Sequence, residues 1–136
     1  MMNKNNKMES GFRIKNLFLL ESNFKRLNAV QFEGDMPELK IETEVGVQDK
    51  VIAVVETVTV TKKYNDIEQF SFLVKMIGFF ECIGESSLID YDDFGSVNGA
   101  AIIFPYIREH ITNLSLKAGL NPIVLPPVNF TGNRRK

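Results

Sequence analysis

The chain has 136 residues, 44% of them hydrophobic, and carries 16 basic against 17 acidic side chains for a formal net charge of −1. This length suits one domain with a packed core, and a charge so nearly balanced does not predict a nucleic-acid partner. The single cysteine, Cys82, excludes an internal disulfide and a multi-cysteine zinc site. No stretch approaches the roughly 20 apolar residues of a membrane-spanning helix, so we expect no membrane insertion.

Both ends of the chain are polar. Residues 1–10 contain no apolar run after their lysines, and residues 131–136 read TGNRRK. We therefore predict a mobile tail at 1–10, one domain at 11–130 and a second mobile tail at 131–136. Because no secretory signal is recognisable, the expected location is cytoplasmic.

Four segments alternate between apolar and polar residues, which predicts β-strands. The predicted apolar rows are Phe12, Ile14, Phe18, Leu20 and Phe24 in the first strand, Leu39, Ile41, Thr43, Val45 and Val47 in the second, Ile52, Val54, Val58 and Val60 in the third, and Phe70, Phe72, Val74, Met76, Phe80 and Cys82 in the fourth. Glu56 interrupts the third row. Turns are predicted at residues 48–50 and 64–66, which favours antiparallel pairing.

The fourth strand is apolar on both sides, since Leu73, Ile77 and Phe79 occupy its opposite row. Leu17 and Leu19 lie on the opposite row of the first strand. One amphipathic helix can cover only one face of a sheet. The sequence therefore predicts an α+β fold, a four-stranded antiparallel sheet with a long helix on one face, whose second face is buried by self-association.

The long helix is predicted over residues 100–117, where Ile103, Ile107, Ile111 and Leu114 recur at helical spacing. Gly119 follows it, at a position where helices often require positive φ. Pro105 lies inside the pattern, so the helix is expected to begin near it or to kink. Before the helix, the acidic residues 87–99 predict a loop or a short helical turn.

No catalytic or metal site is predicted. Asp90, Asp92 and Gly95 fit the first, third and sixth positions of a calcium loop, but Ala101 stands where the bidentate glutamate is needed. His110 is the only histidine and has no serine or cysteine nucleophile at a recognisable spacing. The glycines form no phosphate-binding loop. We therefore expect neither an enzyme nor a cofactor, and ATP-driven chemistry is unsupported.

The runs FPYIREHIT at 104–112 and LPPVNF at 125–130, with a glycine between them, resemble the SecB preprotein chaperone family, and DMPELKIE at 35–42 resembles the start of its second strand. The resemblance implies an ATP-independent holdase for unfolded or precursor polypeptides. It also implies a homotetramer, built as a dimer of dimers. In this family, the connection between the first two strands helps to wall a client-binding groove.

The corresponding connection here, residues 26–38, is longer than an ordinary hairpin loop and carries several apolar side chains. From it, the fourth strand and the PVNF run, we predict the client-binding residues to be Leu27, Phe32, Met36, Phe79, Phe80, Val128 and Phe130. For Phe80 and Phe130, a role in the core is an equal alternative.

The resemblance also implies docking to the SecA motor, for which Glu21 occupies an acidic position of the family. Lys25 and Leu73 stand where other docking residues are expected, so the sequence predicts a weakened patch. Three interpretations stay open. They are a general export chaperone, a SecB-like chaperone dedicated to one client such as the antitoxin of a toxin–antitoxin system, and a non-chaperone scaffold oligomer.

Overall fold

The computed structural model describes residues 11–84 and 88–133 of the chain. Its elements are β1 (Phe12–Arg26), β2 (Glu38–Gln48), β3 (Val51–Tyr64), β4 (Ile67–Cys82), α1 (Leu88–Asp93), a π-helix (Phe94–Gly99), α2 (Ala100–Lys117) and a 3-10 helix (Phe130–Asn133). The strands form one antiparallel sheet in the order β1-β4-β3-β2. The prediction of a four-stranded antiparallel sheet with one long helix is confirmed.

Both predicted turns are confirmed, and in each the residues of the turn itself determine the backbone conformation. Asp49 has φ of 57° between β2 and β3, and Asn65 and Asp66 have φ of 51° and 64° between β3 and β4. Asparagine and aspartate tolerate this left-handed region better than most residues do. The predicted tail at 1–10 lies outside the described residues, as do residues 134–136, whereas residues 131–133 belong to the 3-10 helix.

The faces of β1 differ from the prediction. Its pairing with β4 shifts register between Ile14 and Asn16 and again between Leu19 and Glu21. Each β-bulge adds one unpaired residue, which moves the following side chains to the other face. Leu17 therefore packs against the core, whereas Phe18 lies opposite Ile77 on the helix-free face. The expectation that all five residues of the first apolar row share one face is wrong.

The core lies between the sheet and α2. The rows predicted for β3 and β4 face the helix, and the side chains of Ile103, Ile107 and Ile111 that meet them are fully buried. The π-helix leads directly into α2 and lies close to the sheet at Gly95. A Cβ added there would lie 2.7 Å from Val45 Cγ1, so only glycine allows this approach.

The end of α2 follows the prediction for Gly119. This residue has φ of 73°, and its N–H donates to the carbonyl of Leu116 at 3.1 Å. The N–H of Leu120 donates to the carbonyl of Ser115 at 3.0 Å, which completes a Schellman motif. The helix begins at Ala100, ahead of the exposed Pro105. None of the helices in the described part of the chain combines the length and apolar character needed to span a membrane.

Candidate functional site

The connection between β1 and β2, residues 27–37, is here called the crossover. Its first residues are attached to the end of α2 by Arg26. The guanidinium of Arg26 donates to the carbonyls of Leu27 at 2.7 Å, Asn28 at 2.8 Å and Ala118 at 2.5 Å. One side chain of β1 therefore fixes the position of the crossover relative to the helix.

Two buried polar side chains of the sheet form hydrogen bonds with the backbone in the middle of the crossover. Lys62 is 2% exposed, and its Nζ donates to the carbonyls of Glu33 at 2.5 Å and Asp35 at 2.7 Å. Gln69 is 3% exposed, and its Oε1 accepts the N–H of Gln31 at 2.9 Å. These hydrogen bonds replace the ones that water would otherwise make with the backbone of the crossover. The crossover is therefore held in one conformation, although most of its side chains are exposed.

The segment after α2, residues 118–129, is here called the return segment, and α2 holds it at Ile123. Ser115 is fully buried, and its Oγ donates to the carbonyl of Thr112 at 2.7 Å and accepts the N–H of Ile123 at 3.0 Å. The hydroxyl of Thr112 donates to the carbonyl of Ile123 at 2.6 Å. Both backbone groups of Ile123 are thus satisfied by helix side chains.

The crossover and the return segment enclose a cleft of about 310 Å³, here called the crossover cleft. Its lining residues are Phe32, Gly34, Asp35, Met36, Pro37, Lys62, Phe70, Leu120, Asn121, Pro122 and Ile123. Met36 is 87% exposed and Phe32 is 54% exposed, so large apolar side chains stand open to solvent at its rim. An apolar cleft with few polar groups is the usual form of a binding site.

The predicted client-binding residues lie in several places. Phe32 and Met36 line the crossover cleft. Leu27 is exposed at the start of the crossover, where its N–H donates to the carbonyl of Gln69 at 2.9 Å. Val128 lines a separate, more polar cleft of about 430 Å³ beside β2.

The three phenylalanines predicted from β4 and the PVNF run are less accessible. Phe80 is fully buried in the core beside Phe94, with ring centroids 5.2 Å apart. Phe130 is 6% exposed and packs edge-on against Phe104. Phe79 is half-buried on the helix-free face of the sheet. A client role for these residues stays a prediction, and for Phe80 it would require the core to open.

Sequence reasoning missed Lys62, Leu120, Pro122 and Ile123 as lining residues. A signal for Lys62 was present, since it continues the buried row of β3 two positions after Val60. A lysine at a position where alternation demands an apolar side chain indicates a specific partner. The return segment carried no such signal, because its approach to the crossover depends on tertiary packing.

The helix-free face of the sheet combines apolar and charged side chains. Leu73, Ile77 and Phe79 are half-buried there, and Phe18 is 49% exposed beside Phe79. Glu21, the predicted motor-docking residue, is exposed on the same face opposite Lys75. It lines a depression of about 560 Å³ together with Glu42, Thr43, Glu44, Thr57, Leu73 and Lys75.

No catalytic or metal centre is apparent within the described ranges. They contain no group of three or more histidine, cysteine, aspartate and glutamate side chains able to hold an ion. The fold does bring a serine to the lone histidine, since Ser22 Oγ lies 2.8 Å from His110 Nε2. This contact joins the edge strand β1 to α2.

Comparisons with known proteins agree with this architecture. The family model described as preprotein translocase subunit SecB matches residues 5–133. The protein-export protein SecB of Dechloromonas aromatica is 34% identical over 128 residues, covering 89% of this chain and 82% of that protein. The protein of the same name from Paraburkholderia phymatum is 30% identical over 124 residues, covering 88% and 79%.

Among solved structures, the chain is similar to the SecB-like chaperone Rv1957 of Mycobacterium tuberculosis, which was solved in complex with a ChAD peptide from the HigA1 antitoxin. The TM-score is 0.77 at 16% identity, over 90% of this chain and 94% of that one. At this identity the structural match supports the fold alone. The matched family model and the curated relatives together establish that the chain belongs to the SecB family.

Proposed function

We propose that the protein is an ATP-independent chaperone that holds unfolded or precursor polypeptides during protein export. Membership of the SecB family supports a chaperone role in export and agrees with the prediction that the chain is not an enzyme. The observation that carries the proposal is the crossover cleft, where Phe32 and Met36 of the crossover stay exposed opposite the return segment. Hydrogen bonds hold both of these segments in place. A globular chain that leaves such side chains open beside a cleft is suited to bind apolar segments.

Binding would be non-covalent and modest at each cleft. Burial of apolar surface contributes about 25 cal/mol per Å², and part of this is offset because an unfolded client loses conformational freedom. Several clefts acting on one long client raise the effective affinity without any new contact. A homotetramer built as a dimer of dimers provides this arrangement.

Exposed apolar residues on β1 support the proposed self-association. Ile14, Phe18, Leu19 and Leu20 are each 46–52% exposed on a strand that forms one edge of the sheet. An exposed, apolar edge strand readily pairs with another strand. We place the action of this oligomer in the cytoplasm, where export clients are still unfolded.

Docking to SecA is proposed as a weak interaction of the helix-free face. Glu21 contributes an accessible carboxylate there, but Lys75 lies directly opposite it and lowers the local negative potential. Lys25 Nζ lies 4.0 Å from Glu68 Oε2 on the same pair of strands, so a further positive charge stands on this side of the sheet. Opposite charge would therefore steer the motor less strongly.

A second candidate function is that of a chaperone dedicated to a single client. It is favoured by the weakened acidic patch around Glu21, which faces Lys75, because a chaperone with one client need not dock to the motor. Capture of bound polypeptides from the native cell would separate the two functions, because one recurrent client indicates a dedicated role and many precursors indicate a general one.

The holdase activity is tested by diluting a chemically unfolded, aggregation-prone substrate into buffer with the purified oligomer and without nucleotide. We expect light scattering to be suppressed by the natural chain and restored by the double substitution Phe32→Glu and Met36→Glu. Ile67→Glu is the matched control, since Ile67 is 58% exposed at the start of β4 and does not line the cleft. If the natural chain protects no unfolded substrate, the proposal is overturned in favour of a scaffold oligomer.

A further inference from the structure

We propose that the crossover cleft prefers peptide segments in which an acidic side chain accompanies an apolar anchor, and that Lys62 is the residue that sets this preference. The inference rests on the proposed function, because it specifies which clients the cleft accepts. The lysine lines the cleft between the crossover and the return segment although only 2% of its surface is exposed.

The ammonium of Lys62 lacks an anionic partner. It has three N–H donors, and two of them are used by the carbonyls of Glu33 and Asp35 at 2.5 and 2.7 Å. In the part of the chain that the structure describes, no carboxylate forms an ion pair with Nζ. Carbonyl dipoles stabilise the cation but leave its net charge in place, and a buried charge without a counter-ion is uncommon.

The remaining charge of the cleft does not cancel that of Lys62. Asp35 is the only acidic residue in its lining, and its side chain is exposed, so water screens it and it offsets the charge of Lys62 only in part. The buried ammonium is screened much less, because its field passes through protein of low dielectric constant. The cleft therefore offers a positive potential next to an apolar surface.

The apolar residues of the lining indicate that a bound peptide also needs an apolar side chain. Phe32, Met36, Leu120 and Ile123 present hydrocarbon to the cleft from both walls. A segment that placed an apolar side chain among them and a glutamate or aspartate toward Lys62 would use its third N–H and neutralise its charge. Such a charge-assisted hydrogen bond is stronger than one between neutral groups. A basic side chain at the same position would be repelled.

The test compares three peptides that share one apolar sequence and carry Glu, Gln or Lys at a single position beside the anchor. Acetylated and amidated ends remove terminal charges, so that the side chain is the only variable. Affinities for the full oligomer are measured by fluorescence anisotropy at low and high salt. We expect the Glu peptide to bind about fivefold to tenfold more tightly than the Gln peptide, with the Lys peptide weakest, and the differences to shrink with salt.

Three variants of the protein assign the preference to Lys62. Lys62→Gln keeps a neutral donor under the crossover and is expected to equalise the Glu and Gln peptides, whereas Lys62→Arg keeps the charge and the preference. Asp35→Asn removes the competing carboxylate and is expected to increase the preference. Because Asp35→Asn leaves the lysine in place, it tests the inference even where Lys62→Gln weakens folding.

Two outcomes would overturn the inference while leaving the holdase function intact. One is equal binding of all three peptides by the natural chain, which would mean that Lys62 only supports the crossover. The other is an unchanged ratio in both Lys62→Gln and Asp35→Asn. Failure to bind any of the peptides would instead contradict the proposed function itself.

Discussion

Glu56 on β3 lies directly opposite Thr43 on β2, yet neither of its carboxyl oxygens has a hydrogen-bond partner in the described residues. Its side chain is fully buried between the sheet and α2, and this burial raises the pKa of Glu56 from 4.5 to about 8. A carboxyl group in this position costs stability in either protonation state, because it is removed from water without compensation.

The protein should lose stability as the pH rises between 4.5 and 8 because of Glu56. In this window the folded chain keeps the proton and the unfolded chain releases it, so the unfolded state is favoured increasingly with pH. The slope approaches about 1.4 kcal/mol per pH unit for one such group. Urea unfolding at several pH values measures it, and Glu56→Met, which has a similar volume, should flatten the dependence and raise stability by about 3–4 kcal/mol near pH 7.

Glu42→Gln is the control for this prediction, since Glu42 is an exposed glutamate on the neighbouring strand β2. It should change stability near neutral pH by less than about 0.5 kcal/mol. Parallel stability curves for the natural chain and Glu56→Met would show that the ionisation of Glu56 is not coupled to folding.

Gly95 should tolerate no side chain while Val45 is present. The Cβ of an alanine at Gly95 would lie 2.7 Å from Val45 Cγ1, so the π-helix or the strand must move. Overpacking of this kind costs about 1–3 kcal/mol, which thermal or urea unfolding detects. Gly46→Ala is the control, because a Cβ there meets nothing within 4 Å.

A double-mutant cycle makes the prediction for Gly95 specific. Combined with Val45→Ala, the substitution Gly95→Ala should cost less than the sum of the two single changes, since the clashing methyl group is gone. Strict additivity would mean that the close approach of the π-helix to β2 is not what requires glycine.

How far the sequence predicts the structure depends on the range of the interactions involved. Asn65 and Asp66 determine their own turn, and Gly119 ends its own helix, so these features could be read locally. The bulges in β1 could not be, because the extra residues are defined only by pairing with β4. The alternation predicted for β2 and β3 agrees with the structure, because their pairing has no register shift along Glu38–Gln48.

The candidate site was predicted in part for the same reason. Phe32 and Met36 stood out as apolar residues in a long connection, and they do line one cleft. The opposite wall, which includes Leu120 and Ile123, comes from a segment more than 80 positions later in the chain. Its position depends on the end of α2 and on side chains such as Ser115, whose role has no sequence signature.

Ser115 should contribute more to stability than an average buried serine. Its Oγ both donates to the carbonyl of Thr112 and accepts the N–H of Ile123. Ser115→Ala would leave the Ile123 N–H without that partner, which costs about 1–3 kcal/mol. Urea unfolding measures the loss, and weaker binding of apolar peptides would accompany it because the return segment forms one wall of the cleft.

Ser71→Ala is the matched control for Ser115, since Ser71 is half-buried on the helix-free face of β4. Its removal should change stability by less than about 0.5 kcal/mol. Equal effects of the two substitutions would indicate that the return segment does not depend on its bond to α2.

Leu20 should be required for self-association. It is 52% exposed at the second bulge of β1, on the edge of the sheet that we propose as the contact between copies. Leu20→Lys places a charge on this edge, and a buried unpaired charge is strongly unfavourable in an interface. We expect light scattering coupled to size-exclusion chromatography to show a smaller species, with holdase activity lost in parallel because fewer clefts act on one client. Asn23→Lys adds the same charge to an exposed position of the same strand and should leave the mass unchanged. If Leu20→Lys keeps the mass of the natural protein, the edge of β1 is not the contact that assembles the oligomer.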